Sequence, residues 1–309
     1  EASCVLGRIP DRNEEVLVVA SAGNTAAAFA RICSLNRVRC LIVIPEGGLA
    51  YMRLEQPIAP CVKIITITGA GDYTDAIRLG SHAAKLPGFF PEGGVKNVAR
   101  RDGLGTVLLN AYEAIGRLPD YYFQAIGSGT GAIAVHEYAR RLSGGKEELP
   151  RLWLSQNLPF APIYKAWRAG GRDWPHLSGE DARDQIRQIK AQVLANRFPP
   201  YAVHGGVYDA LVESKGDVLA VTNHQARSAA QLFEKSEGVD LEPAAAVAFA
   251  SLLISAANRR IPADATVVLN VTGGGKLRRI EERGALHLEP DLQVDPAAID
   301  ATCTLNKIA

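Results

Sequence analysis

The sequence predicts an α/β fold of two domains, each with a twisted, parallel-rich sheet flanked by helices. Short β-branched runs alternate with Ala-rich amphipathic segments of helix length, the pattern of βαβ units on a parallel sheet. The 309 residues suffice for about two domains, each able to bury a core without disulfide or metal staples. Glycine-rich turns follow three of the runs, and open α/β sheets bind ligands beyond the carboxyl ends of their strands.

In chain order, VLVVA (16–20) predicts a strand and the Ala-rich stretch 25–35 a helix behind it. Strands follow at 39–45 and 63–68, then a helix at 72–85. After a Gly/Pro-rich stretch at 87–94 come a helix over 105–117, a strand at 121–126 and a helix over 132–142. A strand at 151–155, a helix over 180–196, a strand at 218–222, helices at 225–237 and 242–258, and a strand at 266–271 complete the series. The seam falls within 87–117, giving a smaller domain at 1–105 and a larger one at 106–309.

Composition narrows the function. With 34 basic and 33 acidic side chains the net charge is +1, which leaves no electrostatic footprint for nucleic acid or an anionic membrane. No apolar run approaches the roughly 20 residues that span a bilayer. The five cysteines (Cys4, Cys33, Cys40, Cys61, Cys303) are scattered with no CxxC pair. That spacing predicts no metal site and no disulfide framework, and points to a reducing cytosol. The chain opens Glu1-Ala2-Ser3-Cys4 without an initiator Met or a signal-peptide pattern, so it reads as a fragment whose beginning is missing.

Three turns carry chemistry. Ser21-Ala22-Gly23-Asn24-Thr25 follows VLVVA, and its small residues and hydroxyls at a helix start suit a carboxylate. A plain helix cap is the alternative, since Ser, Asn and Thr are favoured there whatever the function. Gly127-Ser128-Gly129-Thr130-Gly131 follows YYFQAI and forms a phosphate cradle, with converging amides and no Cβ in the way. With Ala132 it also meets the relaxed dinucleotide fingerprint GxGxx(G/A). The next strand ends in Gln156-Asn157, however, with no acid to hold a ribose, and an NAD-dependent dehydrogenase is disfavoured. Thr272-Gly273-Gly274-Gly275-Lys276 follows TVVLNV and fails the Walker A spacing. Its hydroxyl could pair with a heterocyclic nitrogen, or the turn could be a glycine-rich exit from the sheet.

The order and spacing of these turns resemble the fold-type II pyridoxal-phosphate enzymes, the tryptophan synthase β-like group of threonine, cysteine and cysteate synthases. The resemblance runs from Glu1 to about Lys276. The segments KNVARRDG (96–103), YFQAIGSGTG (122–131) and SQNLPF (155–160) bring it nearest the cysteate synthase branch. The resemblance implies that Asn24 meets the cofactor's phenolic oxygen and that Ser21, Gly23 and Thr25 hold the substrate carboxylate. It implies that Gly127, Ser128, Gly129, Thr130 and Gly131 cradle the phosphate of pyridoxal phosphate and that Thr272 faces the pyridine nitrogen. A neutral hydroxyl there suits elimination and replacement chemistry. The larger domain is then the cofactor-phosphate domain and the smaller one the substrate-carboxylate side. These enzymes carry the cofactor as a Schiff base on a lysine just upstream of the helix that precedes the first strand. Here that helix is EASCVLGRI, the first lysine is Lys63, and the catalytic lysine is expected a few residues before Glu1.

The implied reaction replaces the phosphate of O-phospho-L-serine by sulfite, giving L-cysteate and phosphate, a step towards coenzyme M. Phosphate and sulfite both need cations, and Lys96, Arg100 and Arg101 cluster beside the predicted seam, with Arg100 and Arg101 the first candidates. A solvated basic face is the alternative reading of that cluster. The six histidines show no ligand spacing, and Trp153, Trp167 and Trp174 read as packing residues. Small-molecule substrates and a homo-oligomer complete the expectation. The alternatives are threonine synthase acting on O-phosphohomoserine and a lysine-less, non-catalytic homologue.

Overall fold

The structure, a computed structural model, describes residues 1–10, 14–21, 23–49, 52, 54–145, 148–174, 179–284, 286–300 and 307–308. Ala22, His176 and Cys303 lie outside the described residues. The chain divides into two compact units, 1–103 with 282–309, and 104–281.

In the first unit, α1 (Ala2–Leu6) leads to β1 (Val16–Ala20), α2 (Asn24–Asn36), β2 (Cys40–Pro45), α3 (Glu46–Leu49), β3 (Val62–Ile67), α4 (Tyr73–Ala83) and the short β4 (Phe89–Pro91). Alternation sorts the side chains. Leu17, Val19, Ile42, Ile44 and Ile64 face α2 and pack on Phe29 and Ala30. Val18, Val43, Ile65 and Ile67 face α4 and pack on Ala76 and Leu79. A strand buried on both faces reads as a continuous apolar run, which is why these strands are visible in the sequence. Each fully buried Leu, Ile or Val contributes about 1.5–3 kcal/mol relative to exposure.

The second unit begins within α5 (Val98–Ile115) and continues through β5 (Tyr121–Ala125), α6 (Thr130–Ser143), β6 (Arg151–Asn157), α7 (Pro162–Arg168), α8 (Gly179–Gln188) and α9 (Val207–Glu213). It ends with β7 (Asp217–Val221), α10 (Asn223–Glu237), α11 (Pro243–Ala257), β8 (Val267–Leu269) and α12 (Lys276–Arg283), whose last residues pass into the first unit. Its parallel sheet runs β7-β6-β5-β8, and the Ala-rich α11 packs against β5, β6 and β7.

Three expectations are corrected. Residues 282–309 return to the first unit instead of ending the second: β9 (Leu292–Val294) adds parallel to β3, completing the order β4-β1-β2-β3-β9. Asp291 fixes that return by accepting from Lys63 Nζ at 2.9 Å and from the Ile64 amide at 2.8 Å. The helix expected at 105 starts at Val98, because Gly105 serves packing and not a break: a Cβ there would meet the Tyr138 ring at 2.1 Å. The helix expected over 180–196 stops at Gln188, where Asn223 takes the Lys190 amide and Asn157 the Ala191 amide.

Candidate active site

Within the first unit, the turn after β1 opens α2. Gly23 is the N-cap, and no side chain caps the helix, so the plain-cap reading of Ser21, Asn24 and Thr25 does not describe this turn. The first amides of a helix have no partner inside it. Ser21 is buried, its Oγ accepts weakly from the Gly23 amide at 3.4 Å, and Asn24 is exposed. The Thr25 hydroxyl donates to Glu1 Oε1 at 2.6 Å.

Arg100, at the start of α5, closes this group. Its Nη1 donates to Glu92 Oε2 at 2.7 Å, its Nε lies 3.1 Å from Glu1 Oε2, and its Nη2 reaches Thr25 Oγ1 at 3.4 Å. The three charged side chains are nearly buried, Arg100 and Glu1 at 12% and Glu92 at 4% exposure. Burial works against the Arg100 charge, but Glu1 and Glu92 outweigh it and the guanidinium pKa lies above its usual value. Burial also pushes the nearby Tyr73 hydroxyl up, against the pull of Arg100. The first unit therefore brings Ser21, Gly23, Asn24, Thr25 and Arg100 into one group, and gives Arg100 two carboxylates of its own. Arg101 turns to donate to the Val95 carbonyl. Lys96 is exposed and has no carboxylate in ion-pair reach among the described residues.

Within the second unit, the loop after β5 opens α6 with Gly129 as N-cap and no side-chain cap. Gly129 has φ +81°, a left-handed conformation that favours glycine, and a Cβ there would come within 2.3 Å of Val207 Cγ2. A Cβ on Gly131 would come within 2.5 Å of Gln124 Nε2. Ser128 Oγ and Thr130 Oγ1 are 2.9 Å apart. The result is a helix N-terminus whose first amide meets Ser128 Oγ only weakly, at 3.4 Å, and which two hydroxyls flank, an anion site by charge and by shape.

Thr272 lies exposed beyond the carboxyl end of β8, the strand beside β5. Its turn is anchored by Glu242 N to Gly273 O at 3.0 Å and Gly275 N to Asp240 O at 2.8 Å. Lys276 is paired with Glu242 at 2.5 Å. Beneath the two turns runs a buried polar network: Tyr122 donates to Gln124 Oε1 at 3.0 Å, and Asn270 Nδ2 donates to the Tyr122 hydroxyl at 2.8 Å and to Gln124 Oε1 at 3.3 Å. Burial pushes the Tyr122 hydroxyl well up, so it stays protonated as a donor. Gln156 and Asn157 are occupied structurally. Gln156 Oε1 accepts from the Ile163 and Tyr164 amides, and Asn157 bridges Ala191 N and Val221 O.

Residues 2–273 match the family described as pyridoxal-phosphate dependent enzyme. Curated relatives named cysteate synthase include that of Methanosarcina acetivorans, 44% identical over 298 residues that cover 95% of this chain and 72% of the relative. That of Methanoculleus marisnigri is 48% identical, covering 95% and 69%. This chain belongs to the pyridoxal-phosphate dependent enzymes, among the cysteate synthases. A solved maize serine racemase, 17% identical with a TM-score of 0.66 over 91% of this chain and 81% of that one, shares the fold.

As a member of that family the chain takes pyridoxal phosphate. The residues present fit it: Gly127, Gly129 and Gly131 pack so closely on Leu194, Val207 and Gln124 that side chains are excluded from the loop, and its donors are amides and neutral hydroxyls at a helix N-terminus. The resemblance missed Glu1 and Glu92, the partners of Arg100, and the Tyr122–Gln124–Asn270 network. Gln124 carried a signal, as a lone amide in the otherwise apolar and aromatic strand YYFQA.

Proposed function

We propose that this chain catalyses replacement of the phosphate of O-phospho-L-serine by sulfite, forming L-cysteate and phosphate. The observation that carries the reading is its 43–48% identity, over most of its length, to relatives named cysteate synthase. The C–O bond to phosphate breaks and a C–S bond to sulfite forms at the same β-carbon. Bound pyridoxal phosphate supplies the electron sink that lets the substrate α-carbon release its proton.

In this reading the amides of Gly127, Gly129 and Gly131 and the hydroxyls of Ser128 and Thr130 hold the cofactor phosphate. Thr272 offers the pyridine nitrogen a neutral hydroxyl. Asn24 meets the phenolic oxygen. The turn at the start of α2, with Ser21, Gly23 and Thr25, holds the substrate carboxylate. Arg100 fixes Thr25 through Glu1, and because it already balances two carboxylates its part is to orient that turn. Arg101 and Lys96 supply the positive charge against which phosphate leaves and sulfite arrives. Small-molecule substrates, a cytosolic setting and a homo-oligomer go with this reading. No helix among the described residues is long and apolar enough to cross a membrane.

The test is phosphate release. The full-length holoenzyme, given O-phospho-L-serine, should release phosphate in proportion to added sulfite. Release from O-phosphohomoserine, with none from O-phospho-L-serine, would transfer the reading to threonine synthase chemistry.

A further inference from the structure

Three cysteines, at positions 33, 40 and 61, come together in the first unit. Cys33 faces inward from the last turns of α2, Cys40 opens β2, and Cys61 precedes β3. The Ala59 amide donates to Ser34 Oγ at 2.9 Å, which lays the segment before Cys61 along the end of α2. Cys61 Sγ then lies 4.0 Å from the Cys33 carbonyl, and the Cys40 amide donates to the Cys61 carbonyl at 3.0 Å. Cys33 is the neighbour that most perturbs the Cys40 thiol. Cys33 and Cys40 are fully buried, whereas Cys61 is half-buried and all three are free thiols. A cleft of about 620 Å³ reaches Cys61 and Cys40 from the surface between Pro60 and Phe89, with Arg39 and Lys63 along it. Among the described residues no group of Cys, His, Asp and Glu is placed to hold a metal ion, so the cluster has no metal to account for it.

We propose that this cluster is a thiol–disulfide site in which Cys61 is the attacking thiol and Cys33 the resolving one, with a small anionic disulfide as oxidant. The steps balance. The Cys61 thiolate attacks one sulfur of the small disulfide RSSR, forming Cys61–S–SR and releasing RS⁻. Cys33 then attacks the Cys61 sulfur, giving the Cys33–Cys61 disulfide and a second RS⁻. Two thiol protons are lost from the protein, and RSSR is reduced to two thiols. Access decides the first step, because only Cys61 is both half-exposed and on the cleft. Cys40 is held out of the exchange. Neighbouring Cys33, together with burial, pushes its thiol well above the usual range, and a protonated thiol is not a nucleophile. Lys63 is paired with Asp291 on the cleft wall, and Arg39 and Lys307 add the excess positive charge that favours an oxidant carrying negative charge.

The three thiols fall in separate tryptic peptides, 32–37, 40–53 and 54–63, which makes the assignment directly readable. The full-length holoenzyme is treated with glutathione disulfide, sampled over time, alkylated and mapped by mass spectrometry. Peptide 54–63 should first gain one glutathionyl group, which then disappears as 32–37 becomes linked to 54–63. Cys40 should alkylate only after denaturation. Cys33→Ser should stop at the stable glutathionyl adduct. Cys61→Ser should abolish both adduct and link, and Cys61→Ala, which keeps an apolar side chain against the core, should do the same while the protein stays folded by its melting curve. An unmodified Cys61 in the wild type, a link from Cys61 to Cys40, or a wild-type adduct as persistent as that of Cys33→Ser would overturn the proposal.

Discussion

Replacing Arg100 by Gln tests whether this residue orients the turn or faces the ligands. In the structure its guanidinium meets Glu92 at 2.7 Å and Glu1 at 3.1 Å, with Glu92 only 4% exposed. The substitution keeps much of the side-chain volume and removes the charge, leaving two carboxylates with no cation beside them. Removing one partner of a buried ion pair costs about 3–5 kcal/mol, chiefly the penalty of the charge left behind. At about 2–4 °C of melting temperature per kcal/mol for proteins near this size, the variant should melt roughly 6–20 °C below wild type. Differential scanning calorimetry on the holoenzyme reads this directly. Arg100→Lys should fall between, since it keeps the charge but not the fork that meets both carboxylates. A variant that melts within about a degree of wild type while losing only substrate affinity would refute the reasoning, and would make Arg100 a ligand-binding cation.

Other expectations follow from the same geometry. Gly129→Ala forces a side chain into a left-handed position against Val207, and at about 1–2 kcal/mol it should weaken cofactor affinity roughly tenfold, checked by fluorescence titration with pyridoxal phosphate. Tyr122→Phe leaves the Asn270 amide and the Gln124 carbonyl short of a partner and should cost about 1–3 kcal/mol in denaturant unfolding. Burial depresses the His136 pKa, with Glu213 opposing it, so the unfolded chain takes up a proton that the folded chain resists. Stability from this group is therefore complete above the unfolded value of about 6.5 and is lost as pH falls through it towards the folded pKa. His136→Gln should flatten the decline in melting temperature between pH 7.5 and 5.5, and an unchanged slope would exclude His136 as its source.

Much of the fold was legible because parallel strands buried on both faces announce themselves as apolar runs. Val16–Ala20, Cys40–Pro45 and Tyr121–Ala125 needed no context. β9 was not legible: three residues, LQV, become a strand only because Asp291 and β3 receive them. The short α7, α9 and α12 escaped for the same reason, being defined by packing and by capping groups such as Gln156, not by a long periodic pattern. At the site, the glycine turns were visible because glycine is demanded where a Cβ would clash, as at Gly129 and Gly131. The Arg100 cluster was not, since Glu1, Glu92 and Arg100 each read as an ordinary polar residue until folding buries them together. Cysteine spacing likewise predicted scattered thiols, and the fold brings Cys33, Cys40 and Cys61 into one cluster.

The central claim is that sulfite, and not water, takes the place of the departing phosphate. The direct measurement gives the full-length holoenzyme O-phospho-L-serine with ³⁴S-labelled sulfite and analyses the products by mass spectrometry. The account predicts L-cysteate carrying the label, formed only when both substrates are present. Unlabelled products from O-phospho-L-serine, or threonine from O-phosphohomoserine with no cysteate in the parallel reaction, would contradict it.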